Sequence, residues 1–449
     1  MNKNKLLRYS TVAALAGFIF GFDTVVISGA NEPIKKLWET TPLFHGVFIM
    51  SMALWGTVVG ALTGGIPAEK FGRKKTLFWI GVLFAISALG TALAPSPYIF
   101  SFFRFVGGLG IGVSSVVAPT YISEISTPAT RGRLTAMYQF NIVFGILLAY
   151  VSNYLLQGVG GDNDWRYMLG VLGIPSLIYT LLVIGVPESP RWLISVKNNL
   201  IKAKEVLVQI GVENPEDEIK KIVAANAEVD KKGGGETIFN AKFKRVLFLA
   251  FLVAFFNQLS GINFILYYAP EILSRIGLGA KESLGNSIAI GGTNLLFTFV
   301  GLYLIDRLGR KTLLVIGSIG YIISLAMVAY AFKAEASPTF LMTFLLLFIA
   351  SHAIGQGAVI WVFIAEIFPN KVRAMGQSFG ASVHWVFAAI ITLITPLFLD
   401  RQNGIFKGNP WPIFAFFAFM MCLQLVWALT KVPETKGVSL EELEKRLMV

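Results

Sequence analysis

Residues 257–271 read Asn-Gln-Leu-Ser-Gly-Ile-Asn-Phe-Ile-Leu-Tyr-Tyr-Ala-Pro-Glu and lie within a long apolar segment that opens near Val246. The stretch is rich in uncharged side chains that both donate and accept hydrogen bonds, which suits them to binding hydroxyls. In lipid such groups are costly unless they face a partner or a wet cavity. The stretch therefore predicts a membrane-spanning helix that lines a ligand cavity. The polar side chains are Asn257, Gln258, Ser260, Asn263, Tyr267 and Tyr268.

A glycine lies in the middle of this polar group. On an ideal helix Gln258 and Asn263 would point about 140° apart. Gly261 lies between them and allows the helix to unwind, so that both side chains turn toward one cavity. Asn263 and Tyr267 already share a helix face at a spacing of four. An alternative interpretation is that these side chains only hold packed helices together.

The composition is that of a multispanning α-helical membrane protein. Of the 449 residues, 55% are hydrophobic and 14% are charged, whereas about a quarter of a soluble protein is charged. The mean hydropathy is +0.67, and Gly and aromatic residues are common, as they are in membrane spans.

No catalytic or metal-binding pattern accompanies this composition. The sequence contains no P-loop, HExxH or CxxC motif, and His45, His352 and His384 are too scattered to suggest a metal site. The single cysteine, Cys422, excludes an internal disulfide. We therefore predict a protein that is not an enzyme and that uses no cofactor or metal.

Twelve apolar segments are long enough to cross a bilayer, which takes about 20 residues. The polar stretch 188–244 divides them six and six and shows an amphipathic pattern typical of short helices beneath a bundle. We predict an all-α membrane protein with six-helix bundles at 1–187 and 245–430, a cytoplasmic helical linker at 188–244 and a cytoplasmic tail at 431–449. The predicted spans are 9–29, 46–67, 77–95, 98–122, 134–157, 166–186, 245–272, 283–305, 312–332, 339–366, 375–399 and 411–430.

Basic residues are unevenly distributed between the two sides of these spans. Of the 38 Lys and Arg residues, eight lie on one side, Arg104 lies within a span, and the others lie on the side of the termini. The positive-inside rule then predicts a multi-pass plasma-membrane protein, with a bacterial inner membrane favoured and both termini cytoplasmic. This distribution also explains the net charge of +12 without a nucleic-acid partner. The eight are Lys35, Lys36, Arg166, Arg275, Lys281, Lys333, Arg401 and Lys407.

Three motifs occur once in each half of the sequence, in the same order. Their offsets of 237, 242 and 246 residues are nearly equal. They indicate a duplicated six-span unit whose copies are related by an axis along the membrane normal. The motifs are a Gly-x4-acid-basic-x-Gly-Arg-Lys loop that begins at Gly64 and at Gly301, the pair Glu124 and Arg131 repeated as Glu366 and Arg373, and Pro187-Glu188-Ser189 repeated as Pro433-Glu434-Thr435.

The chain resembles the sugar porter family of the major facilitator superfamily over essentially its whole length. That family includes bacterial proton–xylose and proton–glucose symporters and animal facilitative glucose transporters. The resemblance implies the major facilitator fold, with a central sugar site and alternating access. Glu69 is a departure, since the family more often has Asp there, but the charge is kept. The motifs that carry the resemblance are the two repeated loops and residues 187–193, 258–263 and 433–437.

The resemblance also implies a sugar site built from both halves. Amides hydrogen-bond sugar hydroxyls, and Trp rings cover the apolar face of a pyranose. Asn257 stands where the family usually has Gln, and Ile146 stands where its xylose symporters have a second Gln. We therefore favour a hexose such as D-glucose, with D-xylose next. The implied substrate-binding residues are Phe20, Gln139, Asn257, Gln258, Asn263, Tyr267, Asn294, Gly357, Trp361, His384 and Trp385.

Asp23 is the only acid predicted at the middle of a span, and Arg104 is the only base so placed. An intramembrane acid is a functional hypothesis by default. A site whose burial and charge balance change between conformations can load and release a proton. In the family that the chain resembles, proton symporters have Asp at this position and uniporters have Asn. We therefore predict that this pair couples sugar to a proton, and a static structural pair is the alternative.

Acids and bases also recur at the helix ends on the side of the termini. We predict that they pair across helices and latch that face shut when the other face is open. The alternative is ordinary positive-inside topology with helix capping. The predicted gating residues are Glu69, Arg73, Glu124, Arg131, Glu188, Asp306, Arg310, Glu366, Arg373 and Glu434.

These observations predict a monosaccharide, a proton and the lipid bilayer as partners of a chain that works as a monomer. One alternative function is a facilitative sugar uniporter. Another is a sugar sensor that does not transport, although sensors resembling this family usually have long cytoplasmic tails, and 431–449 is short.

Overall fold

The computed structural model describes residues 3–231, 237–369, 372–438 and 440–447. Within these ranges every regular element is a helix. Eleven helical segments are long and apolar enough to cross a membrane. One further span, the second in chain order, is formed by Pro42–Met50 and Met52–Thr63, which are joined at a 41° bend. The predicted all-α membrane fold of twelve spans is therefore confirmed. We number the spans from first to twelfth in chain order.

The first half of the chain provides six spans. Most helices run beyond the apolar segments that predict them, because apolar residues mark only the part of a helix that lies in lipid. The first span, for example, continues through Pro33 to Trp38. The helices are Lys3–Trp38, the bent set Pro42–Phe44, His45–Met50 and Met52–Thr63, then Gly65–Phe71, Arg73–Ala92, Pro97–Ile125, Pro128–Leu156, Gly161–Asn163, Asp164–Gly170 and Gly173–Ile184.

The second half repeats this pattern and contains two broken spans. The seventh span is interrupted at Ser260 and Gly261, and the tenth is interrupted at Gly355. The helices are Ala241–Phe243, Lys244–Leu259, Ile262–Ser274, Ala280–Leu308, Arg310–Lys333, Pro338–Ile354, Gln356–Ile367, Arg373–Leu399, Trp411–Thr430 and Leu440–Leu447.

Three short helices follow the sixth span. They are Pro190–Ser195, Leu200–Gln209 and Pro215–Lys231. Gln209 Nε2 donates to the Tyr9 hydroxyl over 2.5 Å, and Trp192 Nε1 donates to the backbone oxygen of Glu69 over 2.7 Å. These helices therefore lie against the end of the first half that carries residues 3–9. We call this side the terminal face and the opposite side the far face.

The two halves are joined at the far face. The Tyr150 hydroxyl in the fifth span donates to the backbone oxygen of Leu266 in the seventh over 2.7 Å. Lys35 at the end of the first span forms an ion pair with Asp400, which follows the eleventh span. These contacts close the far face around the second part of the seventh span, Ile262–Ser274.

Candidate functional site

The seventh span breaks where the sequence predicts it. Gly261 has φ +85° and ψ +15°, a left-handed conformation that side chains rarely tolerate. The Ser260 hydroxyl donates to the backbone oxygen of Asn257 over 2.7 Å and accepts from the N–H of Ile262 at 3.3 Å. Polar side chains therefore replace helical hydrogen bonds at the break.

Gln258 is the centre of the polar cluster beside this break. Asn263 Nδ2 donates to Gln258 Oε1 over 2.9 Å. Gln258 Nε2 donates to Asn257 Oδ1 over 3.0 Å and lies 3.2 Å from the ring nitrogens of His384. Gln258 and Asn257 are almost completely buried. The break thus brings three amides and an imidazole into one group that can bind hydroxyls.

Aromatic rings surround this amide group. The His384 ring lies 5.0 Å from the ring of Trp361 and 4.8 Å from that of Trp385. Trp385 in turn lies 5.6 Å from Phe20 of the first span. Trp361 is 37% exposed although it lies within the tenth span, so its ring is not enclosed by the neighbouring helices. At Gly357, one turn earlier, an added Cβ would meet the backbone oxygen and ring of His352.

Three of the predicted sugar ligands lie outside this cluster. Gln139 and Asn294 belong to the fifth and eighth spans, which pack together and bring the rings of Phe140 and Phe299 to 5.4 Å. Gln139 is half-buried and Asn294 is 5% exposed. Tyr267 is buried beside Thr24, close to Asp23 and Arg104. The structure therefore places Tyr267 next to the predicted proton-coupling pair, although the sequence assigns it to the sugar.

Asp23 and Arg104 form a buried ion pair between the first and fourth spans. Arg104 Nη1 lies 2.6 Å from Asp23 Oδ1, and Nη2 donates to the backbone oxygen of Asp23 over 3.3 Å. Both residues are 1% exposed. Asp23 Oδ2 and Arg104 Nε are buried without a hydrogen-bond partner. The guanidinium therefore satisfies one carboxylate oxygen and leaves the other without a hydrogen bond.

Short connections link the ion pair to the polar cluster. Thr24 follows Asp23, and its hydroxyl donates to the backbone oxygen of Phe20 over 2.8 Å. Tyr267 lies one helical turn after Asn263 in the second part of the seventh span. Because these segments carry both groups, a movement of either segment would reach the ion pair.

The terminal face carries the same ionic arrangement in each half. Arg73 donates to both oxygens of Glu124 over 2.8 and 2.9 Å. Arg310 donates to both oxygens of Glu366 over 2.7 and 3.0 Å. Paired Arg–carboxylate bonds of this kind are strong and directional. The agreement between the halves supports the duplication predicted from the sequence.

A second acid in each half accepts backbone hydrogen bonds from the start of the third or ninth span. Glu188 accepts from the backbone N–H groups of Arg73, Lys74 and Ser189, and Glu434 accepts from the corresponding groups of the second half. Burial raises the pKa of Glu188, and these N–H donors and the charge of Arg73 oppose the shift. The acids therefore tie the ends of the sixth and twelfth spans to the third and ninth.

The other predicted gating residues take different positions. Arg131 Nε is buried without a hydrogen-bond partner, and Arg373 Nε donates to the backbone oxygen of Phe368 over 3.3 Å. The Glu69 side chain is exposed. Asp306 is also exposed and lies 3.3 Å from Arg310. The ion pairs of Arg73 and Arg310 thus link helices within each half in this conformation.

The comparisons with known proteins agree with this architecture. The family described as "Sugar (and other) transporter" matches residues 9–447. The chain belongs to this family of sugar transporters. The transporter is 34% identical over 443 residues to the arabinose–proton symporter of Bacillus subtilis, covering 97% of this chain and 94% of the relative. It is 34% identical over 444 residues to the galactose–proton symporter of Escherichia coli, covering 97% and 93%.

Solved structures give the same result. The xylose transporter of Escherichia coli in a partially occluded inward-open conformation matches the transporter with a TM-score of 0.85 at 29% identity, covering 97% of this chain and all of that one. Its inward-open conformation matches with a TM-score of 0.84 at 30% identity, covering 98% and 100%. These findings confirm the predicted family and fold of a multi-pass membrane protein.

The sequence patterns did not predict a polar joint at the far face of the transporter. Asn31 Nδ2 donates to Glu271 Oε2 over 2.9 Å, and His45 Nε2 lies 2.6 Å from Asn31 Oδ1. All three residues are more than nine-tenths buried. A signal was present, because Glu271 is an acid within the predicted seventh span.

Proposed function

We propose that the transporter imports a monosaccharide together with a proton by alternating access. The observation that carries the proposal is the isolated pair of Asp23 and Arg104, buried beside the broken seventh span. The relatives named as symporters of arabinose, xylose and galactose with protons support it. A facilitator would need no titratable group at this position.

The short connections between the polar cluster and the ion pair supply the mechanism. Sugar hydroxyls bind the amides of Gln258 and Asn263, and the rings of Trp361 and Trp385 cover the apolar face of the sugar. Binding moves the helix that carries Asn263 and Tyr267 relative to the first span. Protonation of Asp23 removes its attraction for Arg104 and permits the step that opens the terminal face. Loss of the proton on that side resets the carrier.

The conformation described here suits the release step of this cycle. The far face is closed by the contacts of Lys35 and Tyr150, and the overall similarity to an inward-open xylose transporter supports an open terminal face. The excess of basic residues on the terminal face supports its assignment to the cytoplasm. We therefore infer that import into a bacterial cell ends in this conformation.

The substrate we propose is a hexose such as D-glucose, with D-xylose next. Ile146 is buried on the fifth span, one helical turn before Tyr150. An apolar side chain offers no hydrogen bond there, so the bound sugar has one polar contact fewer on the first half. The named relatives transport both pentoses and hexoses, so this preference rests on the residues of the site.

We further infer that the halves 1–187 and 245–430 rock as two bodies within one chain, with 188–244 as the linker. The ion pairs of Arg73 and Arg310 make the terminal face of each half rigid. We infer that Arg131 and Arg373, which lie outside those two pairs, approach the opposite half when the far face opens. A single chain contains the whole site, so the monomer suffices.

Purified transporter in liposomes would test the proposal. Liposomes preloaded with unlabelled sugar should exchange it for labelled sugar. D-glucose should compete with the labelled sugar better than D-xylose, D-galactose or myo-inositol does. Addition of sugar should also draw protons into the vesicles, which an internal pH dye would record. Exchange without proton uptake would identify a uniporter, and sugar binding without exchange would identify a sensor.

A further inference from the structure

A chain of hydrogen bonds on the far face ends at Glu271. The Thr40 hydroxyl lies 2.8 Å from His45 Nδ1, and His45 Nε2 lies 2.6 Å from Asn31 Oδ1. Asn31 Nδ2 then donates to Glu271 Oε2 over 2.9 Å. A neutral His45 protonated on Nε2 satisfies every link, with each group donating to the next. Only the last link crosses from the first half to the second.

The end of this hydrogen-bond chain at Glu271 is buried. Asn31 is 2% exposed, His45 is 1% exposed and Glu271 is 6% exposed. Glu271 also borders a cavity of about 110 Å³ between the halves. The Ser28 hydroxyl and Gln157 Oε1 border the same cavity and are buried without hydrogen-bond partners. The carboxyl therefore borders a small cavity at the seam between the halves, which both polar and apolar residues line.

The charges that face Glu271 balance one another. From the first half they are Glu32, Lys35 and, across the cavity, Asp164; from the second half they are Arg275 and, beyond it, Asp400 and Arg401. Both nearby bases have other partners. Lys35 is paired with Asp400, and Arg275 donates to the backbone oxygens of Leu399 and Lys407. Asn31 is therefore the direct hydrogen-bond donor to the carboxyl.

We propose that Glu271 is a second proton-binding carboxyl of the transporter, and that its uptake of a proton from the solution on the far side favours closure of the far face. Closing the seam removes the carboxyl from water, which is costly for the ionised form and not for the neutral form. Asn31 can donate to either form, and because its bond to the ionised form is the stronger one, it offsets part of this cost. The proposal rests on the alternating-access part of the proposed function and is separate from proton coupling at Asp23.

Two substitutions distinguish the effect of the Glu271 charge from that of its hydrogen bond with Asn31. Glu271→Gln keeps an oxygen for Asn31 and removes the charge, so the far face should stay closed at every pH. Asn31→Asp sets two carboxyls against each other and should open the far face near neutral pH. Acid should restore closure in Asn31→Asp, because one shared proton bridges the two carboxyls.

The experiment measures the distance across the far face by pulsed electron spin resonance. Spin labels replace Leu43 of the first half and Ile405 of the second, which are 53% and 67% exposed. The background is Cys422→Ser, which removes the single cysteine, combined with Asp23→Asn, which removes the other carboxyl. Asp162→Asn, an exposed acid of the same face, is the matched control.

In the background protein, the ratio of short to long distances should rise by at most about tenfold per pH unit as the pH falls from about 8 to about 5. Glu271→Gln should abolish this dependence, and Asp162→Asn should leave it intact. A Glu271→Gln protein that keeps the pH dependence would overturn the proposal, as would a background protein without any. If Glu271→Gln does not fold, the Asn31→Asp protein provides the test. An Asn31→Asp protein whose far face stays closed at pH 8 would also overturn the proposal. These distances require no sugar, so failure of the proposed transport is detected separately.

Discussion

Asn263 Nδ2 donates to Gln258 Oε1 over 2.9 Å, although an unbroken helix would point these two side chains about 140° apart. The left-handed conformation of Gly261 makes the contact possible, because it ends one helix at Leu259 and starts the next at Ile262. A helix break thus converts a membrane span into a polar site.

Gly261→Ala should therefore disrupt sugar binding. The left-handed conformation costs a non-glycine residue about 1–2 kcal/mol, and the new Cβ would lie 2.7 Å from the Phe417 ring. We expect sugar affinity, measured by calorimetry, to fall by about tenfold or more. Gly292→Ala is the control, since a Cβ there has no neighbour within 4 Å. Unchanged affinity in Gly261→Ala would contradict the assigned role of the break.

Gln258→Ala should abolish sugar binding and leave the fold nearly intact. Its amide contacts Asn257, Asn263 and His384, so truncation removes the centre of the polar cluster. Binding calorimetry and a thermal unfolding curve measure the two effects independently. The exposed Gln402→Ala serves as control. If Gln258→Ala binds sugar normally, the sugar site lies elsewhere.

Arg310→Lys should destabilise the second half. A lysine cannot reproduce the paired bonds that Arg310 makes to Glu366. We expect the free energy of unfolding to fall by about 2 kcal/mol, recorded as a lower melting temperature in detergent. The exposed Arg191→Lys should melt like the unchanged protein. Equal melting temperatures of the two variants would show that the paired bonds between Arg310 and Glu366 do not stabilise the fold.

The ion pair of Lys35 with Asp400 should hold the far face closed at every pH except strongly acid ones. Burial raises the pKa of Asp400, but the bonds from Lys35, Asn403 and Gln402 outweigh it and leave the pKa below its ordinary value. The contribution is therefore complete above about pH 4 and is lost as the pH falls through the lowered pKa. Asp400→Asn should lengthen the distance between labels at Leu43 and Ile405 at neutral pH. An unchanged distance would exclude this role.

Most of the fold could be predicted from the sequence, because spans obey a length and hydropathy rule and the halves share three motifs. The break at Gly261 could also be predicted, since polar side chains on both sides of a glycine have few alternatives in lipid. The helix ends could not be predicted, because residues such as those at 30–38 continue the first helix beyond the apolar segment.

The partners of individual side chains were harder to predict than the helices. Tyr267 lies beside Asp23 because its helix is rotated by the break, which spacing alone does not determine. Glu124 pairs with Arg73 although Arg131 is much nearer in sequence. The joint between Asn31 and Glu271 depends on how the halves meet, and no local pattern encodes that.

Sugar accumulation driven by a proton gradient tests the central claim most directly. Liposomes containing the transporter are diluted into acidic buffer with labelled D-glucose, and the internal sugar concentration is followed over time. The account predicts accumulation above the external concentration with Asp23 in place. It predicts that Asp23→Asn will still exchange sugar across the membrane but will only equilibrate it. No accumulation by the unchanged transporter, or equal accumulation by Asp23→Asn, would contradict proton coupling through Asp23.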